Sequence, residues 1–308
     1  MNIVPVAFAF DSNLVFPACI CMSSLMMNGH KDTFYDIFIL HSSKVQLDCS
    51  QINQLSRYYS NCRIQYREVD ETFDGAFEIR GITIPAYYRL LIPELIPEYT
   101  KIIYSDVDVI FREDLSRWYN MDLEENYFAG VNSMAGLNAD LNAYYIGLGL
   151  DVEKIIYSGN LIINSSKIIK DGLIGVFKSL ALNKYKFQDM DIINIACKDN
   201  IKYLSPSFCV TTYFYENVLY KRNHVDKYFS DFEIDEAFLY GTIHYNGMKP
   251  WIDFCINFDI WWEYYRKSPF FDKKFYFDFF YSKLDELDHL SLWKRIKILL
   301  RYFIVGKK

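Results

Sequence analysis

The sequence predicts an α/β fold in which a mixed, mainly parallel sheet is flanked by helices and followed by a C-terminal helical appendage. Two observations predict it. Short apolar runs, rich in β-branched and aromatic residues, alternate with longer helical patterns, which is typical of βαβ units. The 308 residues are 51% hydrophobic and 23% charged, so the chain can bury one large core.

The predicted elements follow one another as strand, helix and strand. In the first part of the chain they are the strand Ile3–Phe10, a helix from Leu14 to Met27, the strand Phe34–His41, a helix over Gln51–Tyr59, the strand Arg63–Val69, a helical segment at Ile84–Ile96 and the strand Lys101–Tyr104. Pro93 and Pro97 break the last helical segment, because proline lacks a backbone donor. They are followed by the strands Tyr127–Asn132 and Ser158–Asn164, a helix over Ser166–Leu182 and a helix from Asp189 to Cys197.

The chain divides by composition near residue 255. We expect one α/β domain over residues 1–255, and an aromatic-rich, basic helical region over residues 256–308 that serves acceptor binding or membrane association. From Ser291 onward the sequence carries six basic residues and no acidic one. On a helix the basic residues oppose an apolar face, which predicts peripheral contact with anionic membrane through residues 291–308. The alternative is a helix that packs on its own domain with a solvated basic face.

Composition also excludes several classes of protein. A formal net charge of −6 argues against a nucleic-acid partner. Seven cysteines, without CxxC spacing, favour free thiols in a reducing compartment. The N-terminus lacks a basic segment typical of a signal peptide, and no apolar run is long enough to span a bilayer. We therefore expect a cytoplasmic protein, peripheral on the inner face of the membrane.

Two carboxylates lie two residues apart in IIYSDVDVIF. In a strand, Asp106 and Asp108 would point to the same side, and an unpaired pair of like charges is costly unless both bind a cation. His244, in HYNGMKPW, could complete the ligand set, which would suit Mn²⁺ or a similar ion. In the same segment, Gly247 would let the backbone approach an anion and Lys249 would supply a positive charge to a phosphate. The alternatives are a solvated strand end and a hydrogen-bonded core histidine.

Four segments in this order resemble glycosyltransferase family 8, the retaining GT-A enzymes. They are FAFDSN, AYYRLLIPELIP with KIIYSDVDVIF, SGNLIIN with FQDMDIIN, and HYNGMKPW. Together they span residues 3 to 251. The resemblance implies a GT-A fold, which is a Rossmann-like nucleotide-diphospho-sugar transferase fold.

The resemblance also implies roles for the metal ligands. Asp106, Asp108 and His244 would hold Mn²⁺, with Mg²⁺ as the second choice, and the ion would bridge the diphosphate of a UDP-sugar. Gly247 and Lys249 match the family's phosphate-binding turn.

Four further residues would bind the nucleotide-sugar. Asp11 and Asn13 match the pair that contacts the uracil, although Asp11 could equally cap the helix that follows. Arg89 matches the family's arginine near the diphosphate and donor sugar; otherwise it would form a surface ion pair. Asp189 would bind hydroxyls of the donor sugar and is the candidate catalytic residue, by stabilising an oxocarbenium ion. The alternative places Asp189 at a helix N-terminus, where the helix dipole favours it.

Two positions depart from the family's pattern. Tyr157 replaces an asparagine and Met190 replaces a glutamine, so the donor sugar is left open. Methionine cannot act as a backside nucleophile, which favours attack by the acceptor on the face from which UDP departs.

The resemblance implies a retaining, metal-dependent enzyme that moves glucose or galactose from a UDP-sugar to a sugar hydroxyl of a cell-surface glycan or lipopolysaccharide-type glycolipid. One alternative is a GT-A protein that binds nucleotide-sugar or glycan without transfer. The other is a haloacid-dehalogenase-type phosphatase, which also uses two aspartates after an apolar strand. In that fold, however, the aspartates normally follow the opening strand.

Overall fold

A twisted seven-stranded sheet forms the centre of the protein. The computed structural model describes residues 2–79, 83–220 and 224–305. Its strands are β1 (Asn2–Ala9), β2 (Thr33–Ser42), β3 (Cys62–Val69), β4 (Ile102–Ser105), β5 (Val109–Ile110), β6 (Phe128–Val131), β7 (Asn160–Ile163), β8 (Ile201–Leu204), β9 (Val210–Thr211) and β10 (Ile243–His244). The large sheet has the order β3-β2-β1-β4-β7-β6-β8. Among the described strands of this sheet, β7 alone runs antiparallel to its neighbours β4 and β6.

Helices pack on both faces of this sheet, and further helices follow toward the C-terminus. They are α1 (Val15–Met27), α2 (Ile52–Tyr58), α3 (Ile92–Leu95), α4 (Ser116–Tyr119), α5 (Ala139–Gly147), α6 (Ser165–Lys170), α7 (Leu173–Leu180), α8 (Gln188–Cys197), α9 (Thr212–Leu219), α10 (Asp231–Tyr240), α11 (Phe258–Lys267), α12 (Lys273–Asp288) and α13 (Leu292–Val305). A 3₁₀ segment, Ile84–Leu91, precedes α3. The predicted mixed, mainly parallel sheet with flanking helices and C-terminal helices is confirmed.

Each central strand contributes side chains to two hydrophobic cores. In β1, Val4, Val6 and Phe8 pack into the core that also contains α1, while Ala7 and Ala9 pack into the core on the opposite face. Strands buried on both faces are continuous apolar runs, and this is why the sequence revealed them. Helix α1 is buried on nearly every side, as expected for a helix that is apolar all round.

The predicted helix over Ser166–Leu182 is wrong in one respect. The segment forms two helices, α6 and α7, separated at Asp171 and Gly172. Gly172 has a φ of +70°, a left-handed conformation that glycine adopts readily and that ends a helix.

The C-terminal helices differ in how they pack. Trp261, Trp262 and Tyr265 of α11 are fully buried in the same core as α1. Helix α12 places aromatic side chains against this core without burying any completely. In α13, by contrast, Leu292 is 71% exposed and Trp293 is 81% exposed. Within the described ranges, no helix combines the length and apolar character needed to cross a bilayer.

A small second sheet positions the candidate site. Its order is β5-β10-β9, with β10 antiparallel to β5 and parallel to β9. The register places His244 opposite Val109 on one side and Thr211 on the other. This sheet therefore brings β9 and β10, which lie in the last third of the chain, beside the segment that follows β4.

Candidate active site

The two carboxylates of the Asp-x-Asp pair lie in a bend after a strand. Strand β4 ends at Ser105, and Asp106, Val107 and Asp108 connect it to β5. The two aspartates therefore do not lie in a strand as expected, and strand alternation is not what directs both carboxylates to one side. Backbone hydrogen bonds hold the bend instead, from the Asp106 amide to the Gly159 carbonyl (2.7 Å) and from the Tyr245 amide to the Asp108 carbonyl (2.9 Å).

Asp106, Asp108 and His244 form a cluster that could hold a metal ion. One ligand atom from each lies within 4.8 Å of the others. His244 Nε2 is 3.2 Å from Asp108 Oδ1 and 3.6 Å from Asp106 Oδ2. Two carboxylate oxygens and one imidazole nitrogen are donors that suit Mn²⁺ and related divalent ions.

The second oxygen of each carboxylate has a partner of its own. Asp106 Oδ1 accepts hydrogen bonds from Arg89 Nη2 (2.9 Å) and from the Tyr104 hydroxyl (2.8 Å). Asp108 Oδ2 accepts from the Lys249 ammonium, which also donates to the Tyr245 carbonyl (2.6 Å). Each carboxylate is thus oriented from outside, which leaves its other oxygen facing the common centre.

A glycine makes room for the histidine ring. A Cβ atom at Gly159 would lie 2.7 Å from His244 Nδ1 and 3.0 Å from Asp106 Oδ2, and it would also collide with His244 Cε1. No side chain fits between these groups. The donor atoms, their outer partners and this close approach all fit a divalent cation at the centre of the cluster.

Charge in the cluster is balanced by cationic side chains. Burial alone would lower the pKa of His244, but the charge of Asp108 and hydrogen bonds to Asp108 and Cys209 outweigh it and raise the pKa to about 10. Burial opposes ionisation of Asp108, yet His244 and Lys249 hold the pKa of its carboxyl well below the usual range. The histidine must therefore lose a proton before it can bind a cation.

Arg89 connects this cluster to Asp189. Its guanidinium is 4% exposed and lies above the Tyr104 ring, with Cζ 4.3 Å from the centroid. Besides Asp106, it contacts Asp189, with 3.2 Å between Nε and Oδ2, and donates to the Ser158 carbonyl. Arg89 is therefore a buried bridge between two carboxylates and not a surface ion pair.

Asp189 lies at the start of α8 and is itself 5% exposed. Burial raises the pKa of its carboxyl to about 6, although the charge of Arg89 and a hydrogen bond from Ser158 oppose the shift. A buried carboxylate beside a cavity, with one charged partner, is a strong candidate for substrate contact.

One cavity of about 690 Å³ gathers most of the predicted site residues. Its wall includes Asp11, Arg89, Asp106, Asp108, Asp189, His244, Gly247 and Lys249. Such a volume suits a small-molecule ligand. Asn13 is not part of this wall; its side chain is exposed, and its amide donates to Asp11 Oδ1 (2.9 Å), as in a helix cap.

Aromatic side chains form one part of the remaining wall, which we call the aromatic wall. Tyr145, Tyr157, Phe187 and Tyr213 line it together with Met190. Tyr145 and Phe187 are stacked, with ring centroids 6.2 Å apart. The sequence singled out Tyr157 and Met190 only through the resemblance. Tyr145, Phe187 and Tyr213 were missed, since aromatic residues in this chain are abundant and most of them pack in cores.

Comparisons with known proteins agree with this geometry. The sequence model for glycosyl transferase family 8 matches residues 5–255. A Haemophilus influenzae protein assigned as a glycosyltransferase is 28% identical over 68% of this chain and 63% of its own length. Glycosyltransferase GlyE of Streptococcus pneumoniae is 28% identical over 58% of this chain and 40% of its own length. The chain thus spans less than two thirds of these relatives.

A solved structure shares the fold. The galactosyltransferase LgtC, in complex with donor and acceptor sugar analogues, superposes with a TM-score of 0.71. The alignment covers 88% of this chain and 98% of LgtC at 21% identity. The predicted GT-A fold is confirmed.

Proposed function

Because the chain belongs to glycosyl transferase family 8, we propose that it is a retaining, metal-dependent hexosyltransferase that uses a UDP-sugar. The observation that carries this proposal is the cluster of Asp106, Asp108 and His244 in the wall of a cavity that also contains Arg89 and Asp189. Of the metal ions, Mn²⁺ suits the ligand set best and Mg²⁺ is the second choice.

In this proposal, Asp106, Asp108 and His244 would hold the cation. When bound, the ion would act as a Lewis acid that neutralises charge on the departing diphosphate. Lys249 and the backbone at Gly247 lie in the same wall, where they can contact phosphate oxygens.

The donor sugar would lie between this cluster and the aromatic wall. Arg89 is already fixed by its contacts with Asp106 and Asp189, so it can orient Asp189 toward sugar hydroxyls without rearrangement. The Asp189 carboxylate would then stabilise positive charge that develops on the sugar ring. Met190 offers no nucleophile, which favours attack by the acceptor hydroxyl on the face that UDP leaves.

We take glucose and galactose as the donor hexoses, and a sugar hydroxyl of a cell-surface glycan or lipopolysaccharide-type glycolipid as the acceptor. The aromatic wall supports a carbohydrate ligand, because aromatic faces pack well against the C–H groups of sugars.

A thermal-stability titration tests this proposal. UDP and a panel of UDP-hexoses would be added with and without Mn²⁺, since a ligand that binds only the folded state raises the unfolding temperature. We expect Mn²⁺-dependent stabilisation that Asp108→Ala abolishes. Asp235→Ala, which changes an exposed aspartate of α10, is the matched control and should respond as the wild type does. Stabilisation that is independent of Mn²⁺ would contradict the proposed metal site.

Tyr157 and Met190 favour one other function, in which the protein binds a nucleotide-sugar but does not transfer it. A donor-hydrolysis assay separates the two. A transferase should release UDP slowly in the absence of acceptor, whereas a binding protein should release none. The phosphatase alternative loses its basis, because the Asp-x-Asp pair follows the fourth strand of the described sheet and the family model covers residues 5–255.

The exposed apolar face of α13 supports peripheral contact with the inner face of the membrane. Leu292, Trp293, Leu299, Leu300 and Phe303 are each more than half exposed, and the helix also carries basic residues. We expect the full chain to sediment with anionic vesicles at low salt and to dissociate at high salt. A chain ending at Asp288 should not bind. Equal binding by the shortened chain would refute this contact.

A further inference from the structure

The two ring nitrogens of His244 face different partners. Nε2 points toward Asp108 and Asp106, whereas Nδ1 lies 3.7 Å from the sulfur of Cys209. We infer that Cys209 is a positioning residue that holds His244 in the tautomer and orientation needed to bind the cation. This inference rests on the metal site of the proposed function.

The argument follows from the chemistry of imidazole. A cation that binds both carboxylates and His244 must use the lone pair of Nε2, because this nitrogen faces the carboxylates. The neutral ring then carries its hydrogen on Nδ1. A buried N–H group needs an acceptor, and the Cys209 sulfur is within hydrogen-bond distance for sulfur. The sulfur can accept this hydrogen, so the tautomer that leaves Nε2 free to bind a cation also keeps its buried Nδ1–H group paired.

The position of Cys209 is fixed by the fold. It immediately precedes β9, which pairs with β10, so Val210 lies opposite Ile243 and Thr211 lies opposite His244. Its own amide donates to the Pro206 carbonyl (3.0 Å), and the side chain is 1% exposed.

Cys209 also completes a pattern. Asp106 is held from outside by Arg89 and Tyr104, and Asp108 by Lys249. Cys209 does the same for the third ligand. Outer partners of this kind affect metal affinity by about 10- to 100-fold, and a sulfur acceptor is weak, so we expect an effect near the lower end.

Two substitutions separate hydrogen bonding from packing. Cys209→Val keeps a side chain of similar volume but removes the acceptor, and Cys209→Ser supplies an oxygen acceptor. Cys197→Val is the matched control, because Cys197 is equally buried but lies in the core on the opposite face of the sheet. Unfolding midpoints of all variants would show that each one folds.

The first measurement is the Kd of Mn²⁺, with and without UDP, from the electron paramagnetic resonance signal of the free ion. Cys209→Val should raise the Kd about tenfold. Cys209→Ser should recover most of the affinity, and Cys197→Val should not differ from the wild type. The second measurement is the ¹⁵N NMR spectrum of His244 in the protein loaded with Mg²⁺ and UDP. It should show the Nδ1–H tautomer in every variant that binds the ion, and the Nδ1–H proton resonance should shift upfield in Cys209→Val, because this variant lacks the hydrogen-bond acceptor.

Three results would overturn the inference. Unchanged Mn²⁺ affinity in Cys209→Val, with tight binding by the wild type, would refute the role of Cys209 and leave the proposed function intact. An equal loss of Mn²⁺ affinity in Cys209→Ser and Cys209→Val would show that the effect comes from packing and not from a hydrogen bond. If the wild type bound no Mn²⁺ even with UDP, the proposed metal-dependent transfer would fail together with the role of Cys209.

Discussion

Replacing Asp189 by asparagine should change how the stability of the protein depends on pH. The carboxyl of Asp189 has an ordinary pKa of 3.8, and burial raises it to about 6 against the opposing charge of Arg89. The folded state therefore binds this proton more tightly than the unfolded state does. As the pH falls through 6, protonation of Asp189 adds to the free energy of unfolding.

The size of this effect follows from the two pKa values. Linkage between 6 and 3.8 gives about 1.4 kcal/mol of added stability at pH 5 relative to pH 7.5. Asp189→Asn cannot take up the proton, so this variant should not gain the increment. Other carboxylates titrate in both proteins, and their contributions cancel in the difference.

Urea denaturation at pH 7.5 and pH 5 provides the assay. The free energy of unfolding of the wild type, minus that of Asp189→Asn, should be about 1.4 kcal/mol larger at pH 5 than at pH 7.5. Asp235→Asn, which changes an exposed aspartate of α10, serves as the control. A difference that is equal at both pH values would show that Asp189 titrates normally, and the electrostatic argument would be refuted.

Three further predictions concern the metal cluster and the core. In a Mn²⁺ titration, Gly159→Ala should lower the affinity about tenfold or more, because the added Cβ would collide with the His244 ring. Gly147→Ala is the control and should leave the affinity unchanged, because a Cβ there meets nothing within 4 Å. The apparent Mn²⁺ affinity should rise about tenfold per pH unit between pH 7 and 9, because Mn²⁺ competes with a proton for His244, whose pKa is raised to about 10. An affinity that does not change with pH in a calorimetric titration would contradict this competition. Trp262→Ala should reduce the free energy of unfolding in urea by about 3–5 kcal/mol, because the indole is fully buried in the main core; a change below 1 kcal/mol would indicate that α11 is not part of that core.

The large sheet could be predicted because its central strands are buried on both faces. Strands β1 and β2 are predominantly apolar, although β2 also contains the buried Asp36, and helix α1 between them is apolar all round. The break between α6 and α7 was missed because the apolar pattern continues on both sides of it, although the dipeptide Asp171-Gly172 is a turn signal.

The small sheet could not be predicted from local sequence patterns. Strands β5, β9 and β10 are two residues long, and their partners are distant in the chain. The sequence could therefore not show that His244 reaches the bend after β4; the family resemblance supplied that expectation. The role of Cys209 was equally invisible, since a single cysteine in an apolar segment is indistinguishable from a core residue.

For Arg89 and Asp189, the sequence predicted the location in the site but not the contact between the two side chains. Each was predicted to contact substrate, and the structure places both in the cavity wall. Their direct contact, and the burial that raises the pKa of Asp189, depend on how α8 packs beside the 3₁₀ segment Ile84–Leu91. Tertiary packing of this kind cannot be derived from the spacing of the two residues in the sequence.

The brevity of the small sheet has a consequence for folding. Asp108 and Lys249 are 141 residues apart in the chain, yet they are in contact, and the strands that bring these regions together form a ladder of only two residue pairs. Ligands that bridge the two regions would close this long loop and so contribute stability at a place where backbone pairing contributes little. Hydrogen exchange in β5 and β10 should therefore slow more on ligand binding than exchange in β1 or β2, whose ladders are long without any ligand.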